Sequence, residues 1–199
     1  GSSEIAGRIT PEAAEATGLA VGTPVVGGGA DNACGAVGAG IIEAGRAMIS
    51  LGTSGVMLAH LDVPKLPNGG TIHMFNHAVK DRYYMMGVIL SAGLSFSWFR
   101  DQLGQMERNV ASQMGTDAYS LLTQEASLST PGSQGLIFLP YLTGERTPHG
   151  DGNARGCFFG LNAGHQRRDL VRAILEGIGF AFRDSLSLLQ QAGWSGNAV

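Results

Sequence analysis

Pro24-Val25-Val26-Gly27-Gly28-Gly29-Ala30-Asp31-Asn32-Ala33-Cys34-Gly35-Ala36-Val37-Gly38 is the stretch that decides how this 199-residue chain is read. Pro24 to Val26 are apolar and β-prone, which predicts a short buried strand. Three glycines follow, and without a Cβ they let another backbone or a ligand approach closely. A helix of small residues then runs to about Ile42. Asp31 falls where strand gives way to helix, so its carboxylate either caps the helix or faces a cleft. A glycine run is entropically costly to order, which favours the cleft. A carboxylate at a glycine-lined strand end suits a general base. Two phosphate motifs are excluded: there is no Gly-Lys-Ser/Thr, and these glycines do not fall into Gly-x-Gly-x-x-Gly spacing.

The composition bounds the remaining choices. Hydrophobic residues make up 44% and charged residues 15%, enough for a real core. The 31 glycines are more than double the usual share of roughly 7%, and they are scattered among apolar residues rather than gathered in a linker. Net charge is -3, with no basic stripe, which argues against nucleic acid and anionic membranes as partners. No apolar run approaches the ~20 residues of a membrane span, and no signal peptide is read. Cys34 and Cys157 sit in apolar or glycine-rich surroundings, which predicts two buried thiols in a cytosolic, and so cytoplasmic, protein. His73 and His77 are spaced i, i+4 but on a strand-like segment without cysteine or glutamate company, so no metal site is expected.

Outward from the glycine stretch, Thr10-Pro11-Glu12 predicts a capped helix ended by Gly18. Glu43-Ala44-Gly45-Arg46 is polar and turn-like, and we place the boundary between two units there. Arg46–Leu51, Gly55–His60, Thr71–Val79 and Tyr83–Leu90 read as four strands of an antiparallel meander, with turns at Gly52–Gly55, Pro64–Gly70 and Lys80–Arg82. Helices follow at Ser91–Gly104, with Leu94, Trp98 and Leu103 near one face, and at Asp117–Ala126. Gly135–Leu139 and Cys157–Leu161 read as strands around a long loop, Pro140–Asn153. The last helix, Asp169 to about Gln191, is apolar at Leu170, Ala173, Ile174, Gly177, Phe180 and Ala181. The order predicts an α/β fold: a mixed sheet with flanking helices.

Three further segments could carry chemistry. Leu51-Gly52-Thr53-Ser54-Gly55 offers backbone N–H groups and two hydroxyls to an anion, and is equally ordinary hairpin chemistry. Ser91-Ala92-Gly93 opens a helix whose N-terminus suits an anion or a nucleotide edge; a plain helix start is the simpler reading. In the loop Pro140–Asp151, an ion pair of Glu145 with Arg146 that pins the loop is favoured over catalysis. Ser54 has no nucleophile-elbow context, so a hydrolase triad is unsupported.

Taken together, Gly28–Gly38, Ser50-Leu51-Gly52-Thr53-Ser54-Gly55, and Gly156-Cys157-Phe158-Phe159-Gly160-Leu161 followed by Asp169–Gly177 resemble the FGGY family of carbohydrate kinases. The run Tyr141–Thr147 resembles its branch acting on the ketopentose D-xylulose. The resemblance covers Gly7 to about Gln191. It implies an actin-like ATPase fold, built of ribonuclease-H-like domains closing on ATP and sugar. Residues 1–43 would be the end of the N-terminal domain, and 44–199 most of the C-terminal one. It further implies that Asp31 is the base deprotonating the sugar hydroxyl, and that Gly52 and Thr53 form a hairpin around the β- and γ-phosphates. Gly93, with Ser97 one turn on, would be a wall near ribose and base. ATP and Mg²⁺ would be the cofactors, and a homodimer is left open with no interface marked. The family's first phosphate loop, the sugar-contacting residues and the adenosine motif are not found here, so the chain is expected to be an internal piece, inactive alone. Ribulose, gluconate or glycerol as substrate, or a silent actin-like module, are the competing readings.

Overall fold

The computed structural model describes residues 1–65 and 71–196. The expected turn at Pro64–Gly70 therefore lies largely outside the described residues.

Strand β1 (Ile5–Arg8) was not anticipated. It pairs antiparallel with β2 (Pro24–Val26) across helix α1 (Pro11–Thr17). That helix has the ends its sequence dictates: the Thr10 hydroxyl accepts the Ala13 N–H at 3.2 Å, and Gly18 closes it at φ 75°. β2 is exposed rather than buried, with Val25 at 42% and Val26 at 52%. Helix α2 (Asp31–Gly38) stops short of Ile42 because Gly40 turns left-handed at φ 74°.

Four strands form the main sheet: β3 (Ala47–Leu51), β4 (Gly55–Leu61), β5 (His73–Asn76) and β6 (Tyr83–Ile89). Their spatial order is β3-β4-β6-β5, so the expected meander is corrected: β6 inserts between β4 and β5. Every strand pairing in the sheets described is antiparallel, so the parallel part of the expected mixed sheet is not among these residues. The period-2 alternation of β4 sorts its side chains to two cores. Met57, Ala59 and Leu61 join Met85 and Ile89 of β6 in the larger one, covered by α3 (Ala92–Leu103) and α6 (Arg167–Gln191). Val56 and Leu58, with Tyr84 of β6, face the other way and meet Ala33 and Ala36 of α2.

Two helices flank α3: α4 (Gln105–Met114) and α5 (Ala118–Ser127). The polar α4 was missed, since it buries Ala111 alone. In α3 the inward residues are Ala92, Ser95 and Phe99, and Leu103 is exposed, so its expected face is rotated. Strands β7 (Ile137–Leu139) and β8 (Cys157–Phe159) pair around the long loop. α6 starts with a capping box between Gln166 and Asp169. It buries Ala173, Ile174, Gly177 and Ala181 as expected, whereas Phe180 points outward at 52%. Both cysteines are exposed, correcting the expectation of buried thiols. Among the described residues no helix is long and apolar enough to cross a membrane.

Candidate active site

Asp31 is the first residue of α2. The capping position belongs to Ala30, which has extended backbone and no side-chain acceptor. Among the described residues the Asp31 carboxylate takes one hydrogen bond, from the N–H of its neighbour Asn32 to Oδ1 at 2.7 Å. The group is exposed. It is therefore neither packed inside nor used as the helix cap, and it stands at the positive end of the α2 dipole. Its charge is felt beneath the helix: burial pushes the Tyr84 phenol above the usual tyrosine range, and Asp31 adds to that rise.

The Gly52-Thr53-Ser54 turn joins β3 to β4 and is exposed throughout. It is closed by the Gly52 N–H donating to Ser54 O at 2.9 Å. The start of α3 docks directly onto it. The Gly93 N–H donates to Gly52 O at 3.0 Å, and the Leu94 N–H donates to Thr53 O at 3.0 Å. This needs a glycine at 93, because a Cβ there would collide with the Gly52 carbonyl oxygen. One turn on, the Ser97 hydroxyl donates to Leu94 O at 3.0 Å. Gly52, Thr53 and Gly93 are thus brought together, with Ser97 one turn further along α3. Asp31 belongs to a different element, on the opposite face of the sheet from α3, and no hydrogen bond among the described residues joins it to the turn.

The expected Glu145–Arg146 ion pair does not form in the long loop, because each side chain has another partner. Glu145 is buried at 4%, and its Oε2 accepts the N–H groups of His149 at 2.7 Å and Gly150 at 3.0 Å. Arg146 turns away and donates from Nε to His73 Nε2 at 2.9 Å. Burial and the Arg146 charge push the His73 imidazole below its usual range, consistent with a neutral ring that accepts. His77 is equally committed: Nδ1 accepts the Val79 N–H at 3.1 Å, so Nε2 carries the proton donated to Ile41 O at 3.1 Å. No group of three or more metal-ligating side chains occurs among the described residues.

Sequence reasoning passed over two threonines of this loop. Thr147 is buried at 1%; its hydroxyl accepts the Val88 N–H at 3.0 Å and donates to Thr71 O at 2.9 Å. Thr143 Oγ1 lies 2.8 Å from Ser91 Oγ. Nothing local in the sequence signals either contact, since the partners lie more than fifty residues away.

The C-terminal domain model of the FGGY family of carbohydrate kinases matches residues 47–198. The xylulose kinase of Bacillus subtilis (strain 168) is 41% identical over 198 residues, covering 100% of this chain and 38% of that protein. The crystal structure of a xyloylose kinase from Brucella ovis superposes with a TM-score of 0.79 at 38% identity, covering 100% of this chain and 39% of its own. A gluconate kinase from Lactobacillus acidophilus superposes at 0.81 with 30% identity, covering 94% and 36%. The chain spans well under half the length of the relatives it matches. Its fold is the actin-like ATPase fold of those kinases, and the chain belongs to the FGGY family of carbohydrate kinases.

Proposed function

We propose that the protein containing this chain transfers the γ-phosphoryl group of ATP to a hydroxyl of a ketopentose, D-xylulose, giving xylulose 5-phosphate. The observation that carries the reading is the exposed Asp31 carboxylate, held at the start of α2 with one local hydrogen bond, in a chain of a carbohydrate kinase family. Asp31 takes the proton as the sugar oxygen attacks the γ-phosphorus. The new O–P bond forms as the bond from that phosphorus to the β–γ bridging oxygen breaks. Gly52 and Thr53 hold the β- and γ-phosphates. Gly93 and Ser97 line the ribose and base. The exposed turn suits an anion, whereas the Gly93 and Leu94 N–H groups at the start of α3 are already given to Gly52 and Thr53 and brace that turn.

Mg²⁺ would be held mainly through the nucleotide's phosphates, and the exposed carboxylate of Asp31 is a hard oxygen donor that suits such an ion. When bound it would neutralise phosphate charge. Residues 1–43 are assigned to the N-terminal kinase domain and 44–199 to the C-terminal one.

The test is ADP release by the full-length protein with D-xylulose, ribulose, gluconate and glycerol, for wild type and Asp31→Ala. D-xylulose should give the highest kcat/KM, and D31A should lose two or more orders of magnitude in kcat while still binding ATP, the general-base contribution being roughly 10²–10⁴. Wild-type kcat in D31A would remove the base from its role. Preference for gluconate, the substrate named for one structural relative, would replace the sugar and keep the chemistry.

A further inference from the structure

We infer that Thr143 is a positioning residue for the nucleotide side of the site, acting through Ser91. The inference rests on the kinase reading above. Serine is among the preferred helix N-caps because its hydroxyl normally accepts the N–H of the second or third helical residue. Ser91 holds the capping position of α3 and does not do this. The two N–H groups it would serve, those of Gly93 and Leu94, are already taken by the carbonyls of Gly52 and Thr53. The buried Ser91 hydroxyl is thereby released and turns to the long loop. It lies 2.8 Å from Thr143 Oγ1 and accepts the Thr143 N–H at 3.3 Å.

Three chain segments are consequently tied in series: the turn at 52–53, the helix start at 91–94, and the loop at 143. The loop end of this series is itself anchored. Thr147 is fixed to β6 through the Val88 N–H, and Glu145 gathers the amides of His149 and Gly150. Thr143 is exposed on its remaining side. A hydroxyl contact facing solvent adds little burial. Its position, one link behind the residues proposed to hold phosphate and ribose, is what it can contribute. Loss of the hydroxyl would let the start of α3, and the turn docked on it, drift from the geometry that receives ATP.

The experiment uses the full-length protein with Thr143→Val, Thr143→Ser, Ser91→Ala and the double variant S91A/T143V. Readouts are KM for ATP, KM for sugar, Kd for a non-hydrolysable ATP analogue, and amide exchange over residues 51–55. T143V should raise KM and Kd for nucleotide about two- to ten-fold, the range for one net hydrogen bond. It should speed exchange over 51–55 and leave KM for sugar unchanged, and T143S should restore wild-type values. The double variant should be no worse than S91A, because the two hydroxyls are one link. Wild-type nucleotide KM and Kd in T143V, equal losses in T143V and T143S, or additive losses in the double variant would each overturn the inference while leaving the kinase reading intact. A wild-type protein that binds no ATP would overturn both.

Discussion

Gly177 and Gly179 lie two residues apart in α6, and the same substitution should act in opposite directions at each. Both have ordinary helical backbone, so alanine gains its helix propensity at either site, about 0.8–1.0 kcal/mol. At Gly179 a Cβ would enter open space on an exposed face, and that gain stands alone. At Gly177 a Cβ would collide with the carbonyl oxygen of Phe138, with the carbonyl carbon at 3.1 Å and the Phe138 Cβ at 3.4 Å. The obstacle is strand backbone, paired through Phe138 to Phe158 of β8, and cannot swing aside like a side-chain tip. Overpacking costs about 1–3 kcal/mol, and stiff backbone belongs at the upper end. Subtracting the propensity gain leaves G177A destabilised by roughly 2 kcal/mol and G179A stabilised by up to about 1 kcal/mol. At about 2–4 °C per kcal/mol for domains of this size, the two Tm values should part by several degrees. Urea and thermal unfolding of both variants in the full-length protein would measure this. A G177A variant as stable as G179A would refute the claim that α6 sits hard against β7.

Two further outcomes follow from buried groups. Thr147→Val keeps the shape but strands the buried Val88 N–H, at about 1–3 kcal/mol for a buried group left unpaired, and takes the donor from the half-buried Thr71 carbonyl. Thr147→Ser keeps both bonds and loses only the methyl packed at Gly87, about 1 kcal/mol. The valine variant should therefore show the lower urea midpoint, and the reverse order would show that packing dominates. For His77, burial is the main cause that pushes the imidazole below its usual range, followed by the charge of His60, with Ile41 O opposing. The unfolded ring binds a proton near pH 6.5 that the folded ring refuses, so stability is complete above that pH and falls below it. Tm should drop between pH 7.5 and 5.5, less steeply in His77→Gln, which retains an N–H for Ile41 O; an unchanged slope would discard His77 as a source.

Capping chemistry made much of the fold legible before any coordinates. Thr10, Pro11 and Gly18 announce α1, and β-rich runs bounded by turn residues give all four strands of the main sheet within a few residues. Strand order was not legible, because alternation tells a strand which faces it shows and not which neighbour it takes. A clue was present in Gly55–Leu61 and Tyr83–Ile89, which are apolar almost throughout, as strands covered on both faces tend to be. Helix α4 escaped because its residues are polar nearly all round. At the candidate site, Asp31 stood out through its glycine-flanked carboxylate. Gly52, Thr53, Gly93 and Ser97 were singled out by the family resemblance, their local pattern being equally ordinary turn and helix-start chemistry. Thr143 and Thr147 did not stand out, and Ser91 and Glu145 were noticed without their actual partners, since a hydroxyl or a carboxylate aimed at backbone leaves no periodic trace.

The small residues of α2 have a mechanical consequence. Ala33, Ala36 and Ile41 share a buried cluster with Leu58 and Tyr84, and His77 grips the Ile41 carbonyl just beyond the helix. The segment bearing Asp31 is clasped to one face of the sheet whose β3–β4 turn carries Gly52. The span between the Asp31 carboxylate and the turn is therefore set by the sheet that both are seated on, and by no direct hydrogen bond between them among the described residues.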